Sequence, residues 1–380
     1  MQKLLDHEVT CSPTEGLIMS VARKGFTFAK KLLFRDTLIP YEFAVALPHP
    51  QSEIAVWLCG MGAARDVTNR YTTACCGPLV ICISFDKGED LSRVDSPDLS
   101  LQFLADTDQK QLLGTIRLSF SKIIPLDSVD LALFTVTGSK NYCLPTRLLW
   151  THYAIQAYGQ LRMIQKSDNY MTLLEQRAAF VTFIRPHPIA LVSLSGPAGA
   201  NIFPMNLMGD LGNGYFGFAL TMKRLARKLV ERHRRIALSN VPISSCGVAY
   251  ALTPNHRKET ADWDQLPFDR KTSPKFNIPF PDFATRVREM EVIQTMDLDI
   301  GNRKPSHKFF IARIVSDQRF SAEFEANVIH GFYQHWRLRG QAEALKVSVE
   351  QDRLNKQWTR SVPTEAEKAR TAQSPRSPIA

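Results

Sequence analysis

Apolar and polar positions change their spacing several times along the chain. Four short runs are rich in apolar and β-branched residues: Glu53–Leu58, Leu79–Phe85, Leu113–Ile124 and Val129–Val136. Each predicts a strand. Leu79–Phe85 is almost continuously apolar, which predicts burial on both faces. Turns are expected at Asp86–Asp90 and Gly138–Asn141, with Pro125-Leu126-Asp127 separating the last two strands. After Pro145 the period lengthens. Leu148, Leu149, His152, Ile155, Tyr158 and Leu161 recur at three or four residues, predicting a helix to about Lys166. A histidine on such a stripe reads as a packed core residue.

The stretch Phe180–Asn206 organises the second half. Two apolar runs flank Ser195-Gly196-Pro197-Ala198-Gly199-Ala200, and Asn201-Ile202-Phe203 ends at Pro204. This predicts strand, tight turn, strand, with Pro186 and Pro188 stiffening the approach. Gly212-Asn213-Gly214 predicts a turn before a strand at Tyr215–Leu220. From Met222 to Ile236 the chain is strongly basic, and Leu225, Leu229 and Ile236 mark one apolar helical face. Residues 254–285 read as a long loop. Ser306–Val315 reads as a strand, and 328–336 as a short closing element. From 341 the chain is polar and expected to be disordered. No role is read for residues 1–35.

At 380 residues, two domains are the natural expectation. The reading is a β-rich N-terminal domain at 1–144, a linking helix at 145–168, a second domain at 169–340 and a tail at 341–380. No apolar run reaches membrane-spanning length, and no signal-peptide core is seen, so a cytoplasmic location is expected. The seven cysteines form no CxxC pair, which argues against a zinc ribbon, and no metal site is expected. Cys75 and Cys76 lie in an apolar stretch and read as buried free thiols. Gly60-Met61-Gly62 lacks the third glycine of a dinucleotide fold. The Arg65–Arg70 cluster reads as a salt-bridged turn, with a ligand loop as the alternative. A net charge of +10 suits nucleic acid, a phosphate-bearing cofactor or merely a basic surface.

The residues Arg185-Pro186-His187-Pro188-Ile189-Ala190-Leu191-Val192-Ser193, followed by Asn201-Ile202-Phe203-Pro204-Met205-Asn206, resemble the flavin reductase-like FMN-binding split barrels. The resemblance extends weakly to about residue 340 and leaves the first half unassigned. It implies a mainly β fold with helices: a C-terminal split β-barrel, preceded by the β-rich domain and linking helix. It implies FMN, or FAD, as cofactor, with NADH or NADPH as reductant. It also implies a homodimer and possible service to a partner monooxygenase. In such proteins hydride passes from nicotinamide C4 to flavin N5, without a protein nucleophile.

A flavin phosphate needs hydroxyls, N–H donors and cations, for which Ser193, Ser195, Lys223, Arg224 and Arg227 are candidates. A solvated basic helix face is the alternative. By resemblance Asn201 belongs to the binding motif, and Pro204, Met205, Asn206 and Leu207 line the isoalloxazine. Asn206 stands where a small hydroxyl residue is usual. By resemblance His307 lies beside flavin or nicotinamide and is the catalytic candidate; capping the strand start is the alternative. Pro305, Ser306 and Ala312 depart from the family's pattern around it. Two rival functions stand beside the flavin reductase reading. One is a flavin-binding or flavin-sensing module without turnover, whose N-terminal domain carries the specific activity. The other is nucleic-acid binding through the basic helix, which lacks interleaved aromatics.

Overall fold

Period-two apolar alternation becomes two seven-stranded antiparallel sheets in the computed structural model of the chain. The structure describes residues 43–46, 54–105, 110–147, 149–154, 157, 171–300, 303–323 and 325–329. All of them belong to one of the chain's two contact units, Glu42–Ala380.

A short strand, β1 (Phe43–Ala46), leads in. The first sheet follows with β2 (Ile54–Cys59), β3 (Arg65–Asp66), β4 (Tyr71–Cys76), β5 (Leu79–Asp86), β6 (Ser100–Ala105), β7 (Leu112–Pro125) and β8 (Val129–Asn141). Then come β9 (His187–Pro188) and the second sheet: β10 (Ala190–Gly196), β11 (Gly199–Met205), β12 (Met208–Asp210), β13 (Tyr215–Thr221) and β14 (Arg235–Asn240). A small hairpin, β15 (Arg270–Thr272) and β16 (Pro279–Pro281), intervenes. The long strands β17 (Arg286–Asp297) and β18 (His307–Arg319) complete that sheet. Finally β19 (Ala326–Ile329) pairs with both β1 and β9.

The first sheet runs β3-β2-β6-β7-β8-β5-β4 and the second β11-β10-β14-β17-β18-β13-β12. Counted within each half, both follow the order 2-1-5-6-7-4-3. The two halves therefore share one topology. The fold is mainly β, with curled half-barrel sheets.

The two sheets also share a core. Along β18, Phe310 and Ala312 face the interior of the second barrel with Phe203, Phe216, Phe218 and Met290. The alternate residues Phe309 and Ile311 face the first half, packing with Cys75, Val80, Cys82, Leu131 and Leu133. Edge strand β4 lies against β12, β13 and β18. Glycines permit this approach: a Cβ at Gly209 would meet the Tyr71 carbonyl oxygen at 2.7 Å, and one at Gly217 would meet Thr72 at 2.8 Å.

The helix Leu173–Thr182 begins with a capping box, in which Thr172 and Glu175 satisfy each other's backbone N–H groups. It packs on β7 and β8 of the first half. Glu175 also accepts from the Leu79 amide (3.1 Å) and from Arg303 (2.7 Å), tying helix, first sheet and second half together.

Several expectations change. Residues 180–182 are helical, because this capped helix, unmarked by a clear stripe, claims them. Strand β8 runs through 138–141, since pairing with β7 overrides the turn composition. Strand β11 passes through Pro204, which pairs with Leu191 on the sheet's edge, where proline costs no ladder bond. The basic helix is shorter, Leu225–His233; Arg234 ends it in a left-handed conformation at φ 58, and Ile236 belongs to β14. Strand β17 was not anticipated, its alternating charges masking it. Residues 254–285 hold 3-10 turns and the small hairpin in place of a plain loop. Of the helix expected at 145–166, the residues 146–147, 149–154 and 157 are helical, Pro145 precedes them outside the helix, and the remainder lies outside the described residues, as do 1–35 and the tail. Cys75 is buried, while Cys76 is partly exposed.

The close seam generates a prediction. Gly209→Ala should destabilise the protein by about 1–3 kcal/mol, the range for overpacking a close contact. Urea denaturation measures it, and an unchanged midpoint would show that the strands have slack here.

Candidate functional site

The hairpin β10–β11 ends beside an open cleft lined by Ile189, Pro204, Met205, Asn206, Tyr250, Thr253 and His256. Three of the expected flavin residues, Pro204, Met205 and Asn206, meet here. The cleft is apolar with a few convergent polar groups, the usual character of a small-molecule site.

Its far wall comes from the 241–266 segment, held on β11 by hydrogen bonds. Asn201 donates through its amide to the carbonyls of Asn255 (3.2 Å) and Lys258 (2.8 Å). Asn255 donates back to the Ile202 carbonyl, and the Trp263 indole to that of Ala200. Ile189, Leu191, Ile202, Tyr250 and Trp263 pack together beneath. Asn201 is fully buried, and its amide is committed to this clamp.

His256 is the residue sequence reasoning missed. Its ring lies on Phe203, with centroids 4.7 Å apart. Its Nε2 lies 2.8 Å from the Pro204 carbonyl. A carbonyl only accepts, so Nε2 carries the hydrogen and Nδ1 keeps its lone pair. Nδ1 is buried without a partner among the described residues. The His256 pKa is lowered to about 4, chiefly by burial and in smaller part by the nearby Arg224 charge, against the opposing hydrogen bond to Pro204. The cleft thus presents a neutral imidazole acceptor. Asn255-His256 sits in a polar, proline-containing stretch with no periodic signal, so only its contact with Pro204 reveals it.

The other expected residues are placed as follows. Ser193 is buried on β10, and its hydroxyl has no partner among the described residues. Ser195 is exposed near the hairpin turn. Leu207 is half-buried at the corner before β12. Arg224 is the N-cap of the basic helix, which has no acidic residue in its first turn and no side-chain cap. That helix N-terminus favours an anion. Lys223 is exposed beside it, while Arg227 pairs with Glu231 at 2.5 Å.

His307 lies apart from this cleft. Its Nδ1 is 2.7 Å from the Ser306 hydroxyl and its Nε2 is 3.3 Å from that of Thr221. Ser306 in turn accepts from the Gly77 amide of the first half at 2.8 Å. Burial lowers the His307 pKa to about 4. His187, near Phe183 and the Thr182 carbonyl, is likewise lowered to about 4, by burial and then by the Arg185 charge.

The 65–70 turn carries the expected salt bridges, Arg65 to Glu89 and Arg70 to Asp86. Among the described residues no cluster of metal-ligating side chains occurs, and no helix is long and apolar enough to cross a membrane.

No family model matches the chain, and no curated protein does. Solved structures do. An FMN-binding protein from Thermus thermophilus matches at 20% identity over 36% of this chain and 73% of its own, with a TM-score of 0.31. The flavin reductase component of a bacterial two-component tryptophan halogenase matches at 13% identity over 41% and 94%, TM-score 0.35. The styrene monooxygenase flavin reductase from Pseudomonas putida S12 matches at 17% identity over 40% and 92%, TM-score 0.32.

The three lowered histidines imply a pH dependence. Each binds a proton near pH 6.5 when unfolded but near 4 when folded. Between those values the unfolded state takes up protons that the folded state refuses, so stability falls as pH drops from about 6.5 towards 4. The slope is at most about 1.4 kcal/mol per pH unit for each histidine. Urea denaturation at pH 6.5 and pH 5 should show the loss, and His256→Asn should reduce it. Equal stability at both values would show that these rings stay solvated.

Proposed function

We propose that the chain is a flavin-binding oxidoreductase of the flavin reductase type, with the isoalloxazine in the Pro204–Asn206 cleft. The observation that carries this reading is the neutral His256 Nδ1, a buried acceptor without a partner at an apolar cleft beside a cationic helix terminus. A flavin suits that donor set: a flat apolar face, N–H or hydroxyl donors for His256, and a phosphate for Lys223 and Arg224. Ser193, Ser195 and Arg227 are secondary phosphate candidates. Bound flavin supplies the hydride acceptor, with NADH or NADPH as donor. Asn206 and Leu207 contact its polar edge. Tyr250 and Ile189 keep water from the ring. Released reduced flavin can serve a partner monooxygenase.

In this reading His307 is a positioning residue. It holds Thr221, two residues before Lys223, and so sets the start of the basic helix.

The test is a visible spectrum of the purified chain with FMN, then anaerobic NADH. The flavin band should bleach faster than free FMN does. Arg224→Ala and His256→Leu should each weaken FMN binding about ten-fold or more, the worth of one hydrogen bond or charge contact of about 1.4 kcal/mol. His307→Ala should weaken FMN binding with kcat at saturating FMN little changed. A kcat loss at saturation would return His307 to the chemistry. No FMN uptake by the wild-type chain would overturn the reading. Bound flavin that stays oxidised with both nucleotides would favour the non-turnover module.

The working unit in this reading is one chain, because the pairing of two barrels is made within it. Sedimentation at micromolar concentration should give a monomer, where the resemblance alone implies a homodimer. A stable dimer would show that a further surface is used.

A further inference from the structure

The two halves place clefts at equivalent corners. The second and third strands of each sheet are joined at residues 67–70 in the first half and at 206–207 in the second. The second corner borders the Pro204–Asn206 cleft. The first supplies Thr68 and Asn69 to a different cleft, whose opposite wall belongs to the second half and includes Asp210, Asn240 and Arg288.

We propose that this seam cleft binds the phosphate or carboxylate group of a small anionic ligand, with Arg288 as its principal donor. Arg288 is 3% exposed. Its guanidinium lies 4.6 Å from the Phe216 ring centre and 3.4 Å, through Nη1, from Asp210. Its Nε is buried without a hydrogen-bond partner among the described residues. A buried guanidinium needs its donors answered, and its planar fork matches a carboxylate or phosphate. Asp210 answers only at the limit of hydrogen-bond length, and its side chain is 46% exposed. It can turn to solvent when a ligand oxygen takes its place.

The neighbouring charges are spoken for. Arg286 forms a two-point pair with Asp317, at 2.7 and 2.5 Å. Glu325 accepts from Asn240 and Arg319. Arg185 donates to Asn69 at 3.1 Å. Among the described residues lining the cleft, Arg288, with its long Asp210 contact and unanswered Nε, is a cation placed to meet an incoming anion. Asn240 adds a buried amide oxygen without a partner, which suits a hydroxyl or N–H beside the anionic group. The site needs both halves, since neither corner encloses the cleft alone.

Calorimetry on the full chain tests this with pyrophosphate and, separately, with citrate. One of them should bind saturably at one site per chain, and which one does distinguishes phosphate from carboxylate recognition. Arg288→Gln should weaken it at least about ten-fold. Should that variant fail to fold, Asn69→Asp decides: it keeps a partner for Arg185, adds negative charge at the cleft, and should weaken binding similarly. Binding of neither probe, or binding unchanged in the folded variants, overturns the proposal. So does competitive displacement of the probe by FMN, which would make the two clefts one site. Probe binding that depends on Arg288 while FMN is not taken up would uphold this site and overturn only the flavin reading.

Discussion

The packing of Phe309 and Ile311 against Cys75, Val80, Cys82 and Leu131 is the contact on which the architecture depends. Strand β18 has no solvent face along this stretch. One set of its side chains fills the second barrel, and the alternate set fills the seam. A one-residue slip would exchange the two sets, so pairing with β13 and β17 fixes both cores at once. The glycines of β12 and β13 belong to the same constraint, because the seam closes only if β4 can approach their backbone.

Glu175 and Ser306 are polar groups near the seam that are answered across it. Glu175 gathers a backbone amide from the first sheet, its own helix cap and Arg303. Ser306 exchanges hydrogen bonds with Gly77 and receives His307. These contacts register the halves, whereas the apolar cluster supplies the attraction. The 241–266 segment works alike on the opposite side of β10 and β11. Asn201 and Asn255 cross-link it to the sheet edge, and Tyr250 and His256 are delivered to the cleft as a consequence.

Much of this was legible in the chain. The continuous apolar run Leu79–Phe85 is buried on both faces, as its pattern requires, because the seam covers one side and the sheet's own barrel the other. The β10–β11 hairpin is read directly from its small-residue turn. Other features were hidden for physical reasons. Strand β17 carries Arg288 and Glu289 inside, with Glu289 accepting from the Lys275 and Phe276 amides, so its charges imitate a loop. The Thr172-x-x-Glu175 capping box was readable but has no strong apolar stripe behind it. His256 and Arg288 owe their surroundings to residues roughly 50 or more positions away, which no local spacing can report. The shared strand order of the halves was likewise invisible, since strand pairing is set by contacts between distant residues.

That shared order has a consequence for symmetry. When two identical chains pair, every substitution is made twice and the interface stays symmetric. Two halves of one chain that share a strand order are under no such bond. The second half carries the basic helix Leu225–His233 between its fourth and fifth strands and a long insertion at 241–285 before its sixth. The first half has turns at 87–99 and a connection of only 106–111 at those positions. Each half can thus carry charge, loops or a cleft that the other lacks. Two like-ordered halves in one chain can divide labour in a way that a self-associating chain cannot.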